Sequence, residues 1–333
     1  MKYNIAIDMG STNTVILKNE VGVALVEPTL LLLDDEKKNP VVCCGKEAKE
    51  SYPAQRETYR LVSPIRNGVI VNKDLAKTLL RYFLEKVDEK YFKGNLLWLV
   101  PGSISQNDRS EFINLGYSLG YKNVDVLPSA IAGLQHLEVE YDNPYSHVLV
   151  NIGGGSTDVS VVYKGKVIQG CSIDIGGQTI DEQIQKFLID SYNVVVTSIH
   201  SEEIKNELMS ILPNDTISYA MKGTNIDAYT NQELTITAQE LRNIYISFYE
   251  KICDAVSAVL NMCNSQIVRD INKTGVYVCG GMANMIGLEK FMKSRLSVNV
   301  YIDERPETTV ILGAEKLFNE PVKLNYLVDL NNN

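Results

Sequence analysis

The sequence lacks several features that would assign it to common classes of protein. It has no long basic run and a net charge of −9 over 333 residues, so a nucleic-acid partner is not expected. Its longest apolar stretch, 21–33, contains Glu27 and Pro28 and cannot span a bilayer. The 6 cysteines form no CxxC pair, which favours buried free thiols in a reducing cytoplasm. The first residues do not read as a signal peptide, so a cytoplasmic location is expected.

Two common nucleotide-binding patterns are absent as well, namely the P-loop with its lysine and a spaced dinucleotide fingerprint after a strand. A different arrangement occurs twice, at 3–17 and at 148–163. Each copy has an apolar strand, a glycine turn with Ser or Thr, and a returning strand. Tight glycine turns gather backbone N–H groups into a concavity that binds phosphate oxygens. One such hairpin could be an ordinary turn, but two copies indicate a duplicated unit.

Facing hairpins would close on a polyphosphate from both sides, and Asp8 ends its strand where a carboxylate could hold Mg²⁺, directly or through water. A third segment, 276–283, is a strand that ends in two glycines before a helix, where a flat ring could lie against the backbone. The residues predicted to hold the phosphates are Gly10, Ser11, Thr12, Asn13, Gly153, Gly154, Gly155 and Ser156.

Strands alternate with helices along the chain, which predicts an α/β architecture, and the length suits two domains. We place the first domain at 1–145, with a small insertion at about 34–62 and with the C-terminal segment 315–333 packed on it. The second domain is placed at 146–314, with a small insertion at about 192–236.

The three motifs resemble those of the actin, heat-shock chaperone and sugar-kinase superfamily, and within it those of MreB, the bacterial actins. Segment 7–14 is similar to the first phosphate motif, 151–158 to the second, and 279–283 to the adenosine motif. Similar strings occur at 27–29, 63–70, 202–205 and 312–314, so the resemblance covers nearly the whole chain.

The resemblance implies an actin-like ATPase fold, with two RNase H-like halves and a cleft between them for ATP and Mg²⁺. It implies that Glu202 and Lys205 lie near the ribose and adenine, although a solvated helix face would also explain these two residues. It further places Gly280, Gly281, Met282 and Ala283 at the adenosine, and Asp8 and Thr157 near the reacting phosphate.

The resemblance also implies that the chain assembles with itself, head to tail, into cytoplasmic filaments that control cell shape. Tyr91 and Phe92 fall where MreB carries an apolar loop that enters lipid. Two aromatic residues bury little area, and Asp88 and Glu89 oppose an anionic surface, so any membrane contact should be weak. A loop packed on its own domain is the alternative.

The sequence departs from the MreB pattern at the positions that govern hydrolysis. MreB usually has two glutamates before the proline that corresponds to Pro128, one of which positions the attacking water, whereas this chain has Val126 and Leu127. Asn151 replaces the aspartate of the second phosphate motif, and Met282 replaces a glycine. Because an apolar side chain cannot orient or deprotonate water, weak hydrolysis is expected. The pattern resembles divergent MreB copies of wall-less helical bacteria, in which filaments serve shape and swimming.

Two other functions share this fold, a small-molecule kinase and a chaperone-type ATPase. A sugar kinase is generally longer and requires an aspartate base facing the sugar, and no convincing candidate occurs near the cleft. A chaperone would normally continue into a peptide-binding domain. Length and the run of MreB-like strings favour the filament protein.

Overall fold

The computed structural model describes residues 2–37, 40–55, 59–87 and 94–332. The strands up to residue 145 are β1 (Ile5–Met9), β2 (Asn13–Lys18), β3 (Gly22–Pro28), β4 (Leu31–Leu33), β5 (Val41–Cys44), β6 (Arg60–Val62), β7 (Ile65–Arg66), β8 (Val69–Ile70), β9 (Asn95–Val100) and β10 (Asn123–Pro128). The helices of this half are α1 (Gly45–Gln55), α2 (Lys73–Lys86), α3 (Gln106–Ser118) and α4 (Ser129–His136).

The second half continues the same alternation of strands and helices. Its strands are β11 (His147–Ile152), β12 (Thr157–Tyr163), β13 (Lys166–Ile173), β14 (Val194–Val195), β15 (Ser218–Asn225), β16 (Asn231–Thr237), β17 (Val276–Cys279) and β18 (Val300–Ile302). Its helices are α5 (Gly177–Tyr192), α6 (Ser198–Glu207), α7 (Ala238–Asn261), α8 (Ser265–Thr274), a 3₁₀ turn (Gly281–Asn284), α9 (Leu288–Leu296), α10 (Thr309–Phe318) and α11 (Pro321–Asn332).

The two large sheets have the same topology. Their strand orders are β10-β9-β1-β2-β3 and β13-β12-β11-β17-β18. In each sheet, three consecutive antiparallel strands are extended by two later strands that run parallel to the first. The phosphate hairpins predicted from the sequence are β1–β2 and β11–β12, and they occupy equivalent positions in the two sheets.

Two small sheets lie at the segments predicted as insertions, β5-β4-β6 in the first half and β14-β15-β16 in the second. Strand β4 lies just before the first predicted segment, and β16 ends one residue after the second. The domain boundaries themselves stay predictions. The C-terminal helix α11 contacts β10 of the first half and β13 of the second. Asn331 of this helix binds both halves. Its backbone carbonyl accepts from the Arg109 side chain at 2.8 Å, and its side-chain amide donates to the Gly165 carbonyl at 2.7 Å.

Amphipathic spacing and side-chain caps account for the main helices. In α2, Leu79, Leu80 and Phe83 are fully buried, and Asn72 caps the helix by accepting from the Leu75 N–H. The long helix α7 begins at Thr237, which forms a capping box with a glutamate three residues later. Local signals therefore set where these helices start, and their apolar stripes set which face is buried.

The halves share a core at their base, where α4 and α10 pack between the two large sheets. This core joins Leu99 and Leu127 of the first sheet to Leu149 and Cys279 of the second. The helices approach so closely that a Cβ on Gly313 would lie 1.8 Å from the Ala132 carbonyl oxygen. The crossing of α4 and α10 thus depends on glycine and sets how the two sheets face each other.

The structure bears on two features noted in the sequence, the cysteines and the absence of a long apolar run. All 6 cysteines are free thiols; Cys44, Cys253 and Cys279 are buried, whereas Cys43, Cys171 and Cys263 are only partly buried. Within the described ranges, none of the helices combines the length and the apolar character that crossing a membrane requires.

Candidate functional site

The two hairpins make the same turn. The Gly10 N–H donates to the Asn13 carbonyl oxygen at 3.0 Å, and the Gly153 N–H donates to that of Ser156 at 2.9 Å. A Cβ on Gly10 would lie 3.0 Å from the Asn13 oxygen, and one on Gly153 would lie 3.1 Å from the Ser156 oxygen. The duplication read from the sequence therefore extends to the backbone conformation of the turns.

The tips of the two hairpins meet each other. A Cβ on Gly154 would lie 1.7 Å from the Thr12 Oγ1, and one on Gly155 would lie 2.7 Å from the Ser11 Oγ. The Thr12 Oγ1 is buried and makes no hydrogen bond among the described residues. Glycine is needed here because it allows the approach, and the approach brings four of the predicted phosphate residues together, namely Ser11, Thr12, Gly154 and Gly155. The other four, Gly10, Asn13, Gly153 and Ser156, close the two turns.

Asp8 is the second-last residue of β1, and it lies on the same face of the sheet as Ala6, which packs in the core shared with the second half. Burial alone raises its pKa from the usual carboxyl range to about 6. Among the described residues, no cluster of three or more His, Cys, Asp or Glu side chains could hold a metal by itself. Mg²⁺ is commonly bound by one or two carboxylates together with phosphate oxygens and water, so a single aspartate beside a phosphate site fits this ion.

Replacing Asp8 by asparagine should stabilise the nucleotide-free protein at pH 7 by about 3 kcal/mol. The pKa of Asp8 is higher in the folded chain than in the unfolded one, so the free energy of unfolding falls as pH rises from about 4 to about 6. The Asp8→Asn variant should lose this slope in urea titrations at several pH values. An unchanged slope would contradict the raised pKa of Asp8.

The Asp8→Asn variant should also bind Mg-ATP more weakly, whereas its affinity for ATP in EDTA should change less.

Val126 and Leu127 stand where MreB usually has two glutamates, and the register of strand pairing determines which of them lies on the same face of the sheet as Asp8. Asp8 pairs with Leu99, and Leu99 pairs with Leu127, so these three side chains form one row across β1, β9 and β10. Leu127 packs with Leu99 in the core between the sheets, while Val126 packs in the core on the opposite face of the sheet. Adjacent strands are about 4.8 Å apart, which puts Leu127 about 10 Å from Asp8.

Thr157 directly follows the second phosphate turn, as the first residue of β12. It is fully buried, and its hydroxyl donates to the Ile175 carbonyl oxygen at 2.7 Å. Its hydrogen is thus committed to the backbone and only its oxygen lone pairs remain for another partner, so its place near the reacting phosphate stays a prediction. Asp125, another carboxylate near the missing glutamates, accepts from the Tyr3 hydroxyl at 2.8 Å.

Asp158 ties the second hairpin to the first half. Its carboxylate accepts from the Gly102 N–H at 3.1 Å, the Ser103 hydroxyl at 3.0 Å and the Ser160 hydroxyl at 2.8 Å. Burial raises its pKa, and these donors oppose the rise. Because Gly102 and Ser103 follow β9, this buried carboxylate holds the two halves together directly behind the phosphate turns.

The third predicted segment lies against the second hairpin. Gly280 has a φ of +89°, and a Cβ on it would lie 2.5 Å from the Asn151 Oδ1, so only glycine fits there. A Cβ on Gly281 would meet nothing within 4 Å. The side chains of Met282 and Ala283 are buried. The open side of this segment is therefore at Gly281, where the sequence predicted a flat ring.

Lys205 lies beside this segment, within reach of Gly177. A Cβ on Gly177 would lie 2.9 Å from the Met282 Sδ and 3.1 Å from the Lys205 Nζ. The Lys205 ammonium is buried and pairs with Asp181 at 2.8 Å, and burial raises the pKa of that carboxyl. The alternative for Lys205, a solvated helix face, is excluded. Glu202, one turn earlier, pairs with Lys49 of the first half at 2.5 Å.

Several residues that shape this site were not identified from the sequence. Tyr249 donates to the Met282 carbonyl at 2.6 Å, and Tyr245 donates to the Lys205 carbonyl at 3.5 Å. Helical spacing on α7 marks both tyrosines only as core residues. Asp181 and Lys49 carry no local signal, because their partners lie on other helices. Tyr91 and Phe92, predicted to touch a membrane, lie outside the described residues.

Comparison with known proteins identifies relatives along nearly the full length. The family model described as MreB/Mbl protein matches residues 2–326. The cell shape-determining protein Mbl of Bacillus subtilis is 24% identical over 326 residues, which are 96% of this chain and 97% of the relative. The cell shape-determining protein MreB of Escherichia coli is 25% identical over 320 residues, which are 94% of this chain and 92% of the relative.

Solved structures match the fold as well. MreB5 of Spiroplasma citri bound to AMPPNP has a TM-score of 0.90 at 24% identity and covers 97% of each chain. A MamK double helical filament has a TM-score of 0.78 at 15% identity and covers 95% of this chain and 98% of that one. The predicted actin-like α/β fold is thereby confirmed.

Proposed function

The chain belongs to the MreB/Mbl family, and on that premise we propose that it is an ATP-binding bacterial actin that polymerises into cytoplasmic filaments controlling cell shape. The observation that carries the proposal is the contact between two equivalent phosphate hairpins, one from each half of the chain. A nucleotide held at such a junction touches both halves, so its binding depends on the relative position of the two halves.

The relatives supply the remaining parts of the proposal. The cell-shape role comes from relatives named cell shape-determining proteins. The nucleotide comes from MreB5 of Spiroplasma citri, which has been solved with AMPPNP and with ADP. Self-assembly comes from the filament of MamK. Mg²⁺ at Asp8, weak ATPase activity and a membrane contact through Tyr91 and Phe92 belong to the proposal, as does a role in motility.

Polymerisation should occur with ATP and with a non-hydrolysable analogue, and less with ADP. A contact between different surfaces of identical subunits gives an open polar filament unless the rotation closes a ring. The test is pelleting of the purified protein with each nucleotide, with light scattering at micromolar concentration as a second readout. A protein that stays monomeric with every nucleotide would contradict the filament. The small insertions, at about 34–62 and 192–236, are expected to meet across this contact.

The Gly281→Ala variant tests where the base binds. Its new methyl group meets nothing in the structure, so thermal unfolding of the nucleotide-free protein should be unchanged. ATP affinity should fall about tenfold, because one added carbon in a well-fitted pocket has an effect of that order. Calorimetry measures the affinity, and the melting temperature is the internal control. Unchanged affinity would place the base elsewhere.

A further inference from the structure

An ion pair connects the two halves at the ribose side of the cleft. Lys49 lies on α1, within the small insertion of the first half, and Glu202 lies on α6 in the second. The Lys49 Nζ is 2.5 Å from the Glu202 Oε2, and the two side chains are 30% and 24% exposed. The sequence assigned Glu202 to the ribose by resemblance, but nothing in it pointed to Lys49.

Other contacts between the halves lie at the base and at the phosphate side of the cleft. The shared core around α4 and α10 joins the two sheets at the base. The hairpin tips meet at Thr12 and Gly154, and Asp158 binds Gly102 and Ser103 behind them. The core at the base is fully buried, whereas the hairpin tips and the Asp158 contacts are partly exposed. The pair of Lys49 and Glu202 is partly exposed and joins only two side chains, so it is easier to open than the core at the base.

From this arrangement we propose that Lys49 is a positioning residue that closes the cleft over a bound nucleotide by holding Glu202. The proposal rests on the function proposed above. Only one oxygen of Glu202 accepts from Lys49, and a carboxylate offers several acceptor positions, so the second oxygen stays available for a ribose hydroxyl. Lys49 then fixes the rotamer of Glu202 and links the two halves, and a nucleotide leaves after this link opens.

The test is the release rate of a fluorescent ATP analogue, chased with excess ATP in a stopped-flow instrument. Lys49→Met keeps the length of the side chain but removes its charge, and it should speed release about two- to fivefold. Lys49→Arg should restore slow release. Lys46→Met is the matched control, because Lys46 lies on the same helix but pairs at 3.6 Å with Glu50 of that helix, and both side chains are well exposed.

The salt dependence of release distinguishes an ion pair between Lys49 and Glu202 from a packing effect of the Lys49 side chain. Raising the salt from about 0.05 to about 0.5 M should speed release from the wild-type protein and from Lys46→Met, and should have little effect on Lys49→Met. Release from Lys49→Met that is equal to or slower than wild-type release would contradict the proposal that Lys49 closes the cleft. A wild-type protein that binds no ATP analogue would instead overturn the proposed function, so the two failures are distinguishable.

Discussion

Phosphate release by the Leu127→Glu variant should exceed that of the wild-type protein at least about tenfold. Hydrolysis needs a group that orients the attacking water and accepts its proton, and removal of such a group typically costs about 10²–10⁴-fold. Leu127 lies in the same row as Asp8, on the face of the sheet that packs in the core shared with the second half. A carboxylate at this position would lie on the same face of the sheet as Asp8, about 10 Å away.

The expected increase in phosphate release is smaller than the typical effect of about 10²–10⁴-fold, because Leu127 is completely buried. Burial favours the protonated form of a carboxyl group, and the protonated form accepts no proton from water. Release should therefore rise with pH over the range in which the new glutamate ionises. The measurement is phosphate release from filaments and from subunits, at several pH values.

Val126→Glu is the matched control, because Val126 is buried on the opposite face of the same strand. It should destabilise the protein without any gain in turnover. Wild-type turnover as fast as that of Leu127→Glu would mean that another group activates water. Asp158 and Asp125 are poor substitutes, because Asp158 already accepts three hydrogen bonds and Asp125 accepts from Tyr3.

The Gly313→Ala variant should lose about 3 kcal/mol of unfolding free energy. The added Cβ would lie 1.8 Å from the Ala132 carbonyl oxygen, which is backbone and cannot rotate away. Helices α10 and α4 must then separate, and the core that joins the two sheets opens with them. Urea denaturation measures the loss, and weaker ATP binding should accompany it.

Lys316→Ala is the control for this helix, because Lys316 lies on α10 with 40% of its side chain exposed. Its stability should stay within about 0.5 kcal/mol of the wild-type value. A Gly313→Ala variant as stable as the wild-type protein would show that the two helices can move apart without cost. The crossing would then not determine how the sheets face each other.

The sequence by itself determined the parts of this protein that local interactions control. Each phosphate hairpin needs only a few consecutive residues, since its turn closes within four of them, from Gly10 to Asn13 and from Gly153 to Ser156. Alternating strands and amphipathic helices follow from residue periodicity. For these reasons the α/β class, the duplicated hairpins and the family could all be predicted from the order of the residues alone.

Tertiary structure decided whatever depends on pairing between distant segments. Strand register selects Leu127 over Val126 as the residue in line with Asp8, and a shift of one residue would reverse the choice. Helix packing buries Lys205 against Asp181 and brings Lys49 to Glu202, although 153 positions separate the latter pair. Thr157 gives its hydrogen to Ile175 because β12 and the segment after β13 lie side by side. No local pattern encodes such contacts, because they form only when the sheets and helices assemble.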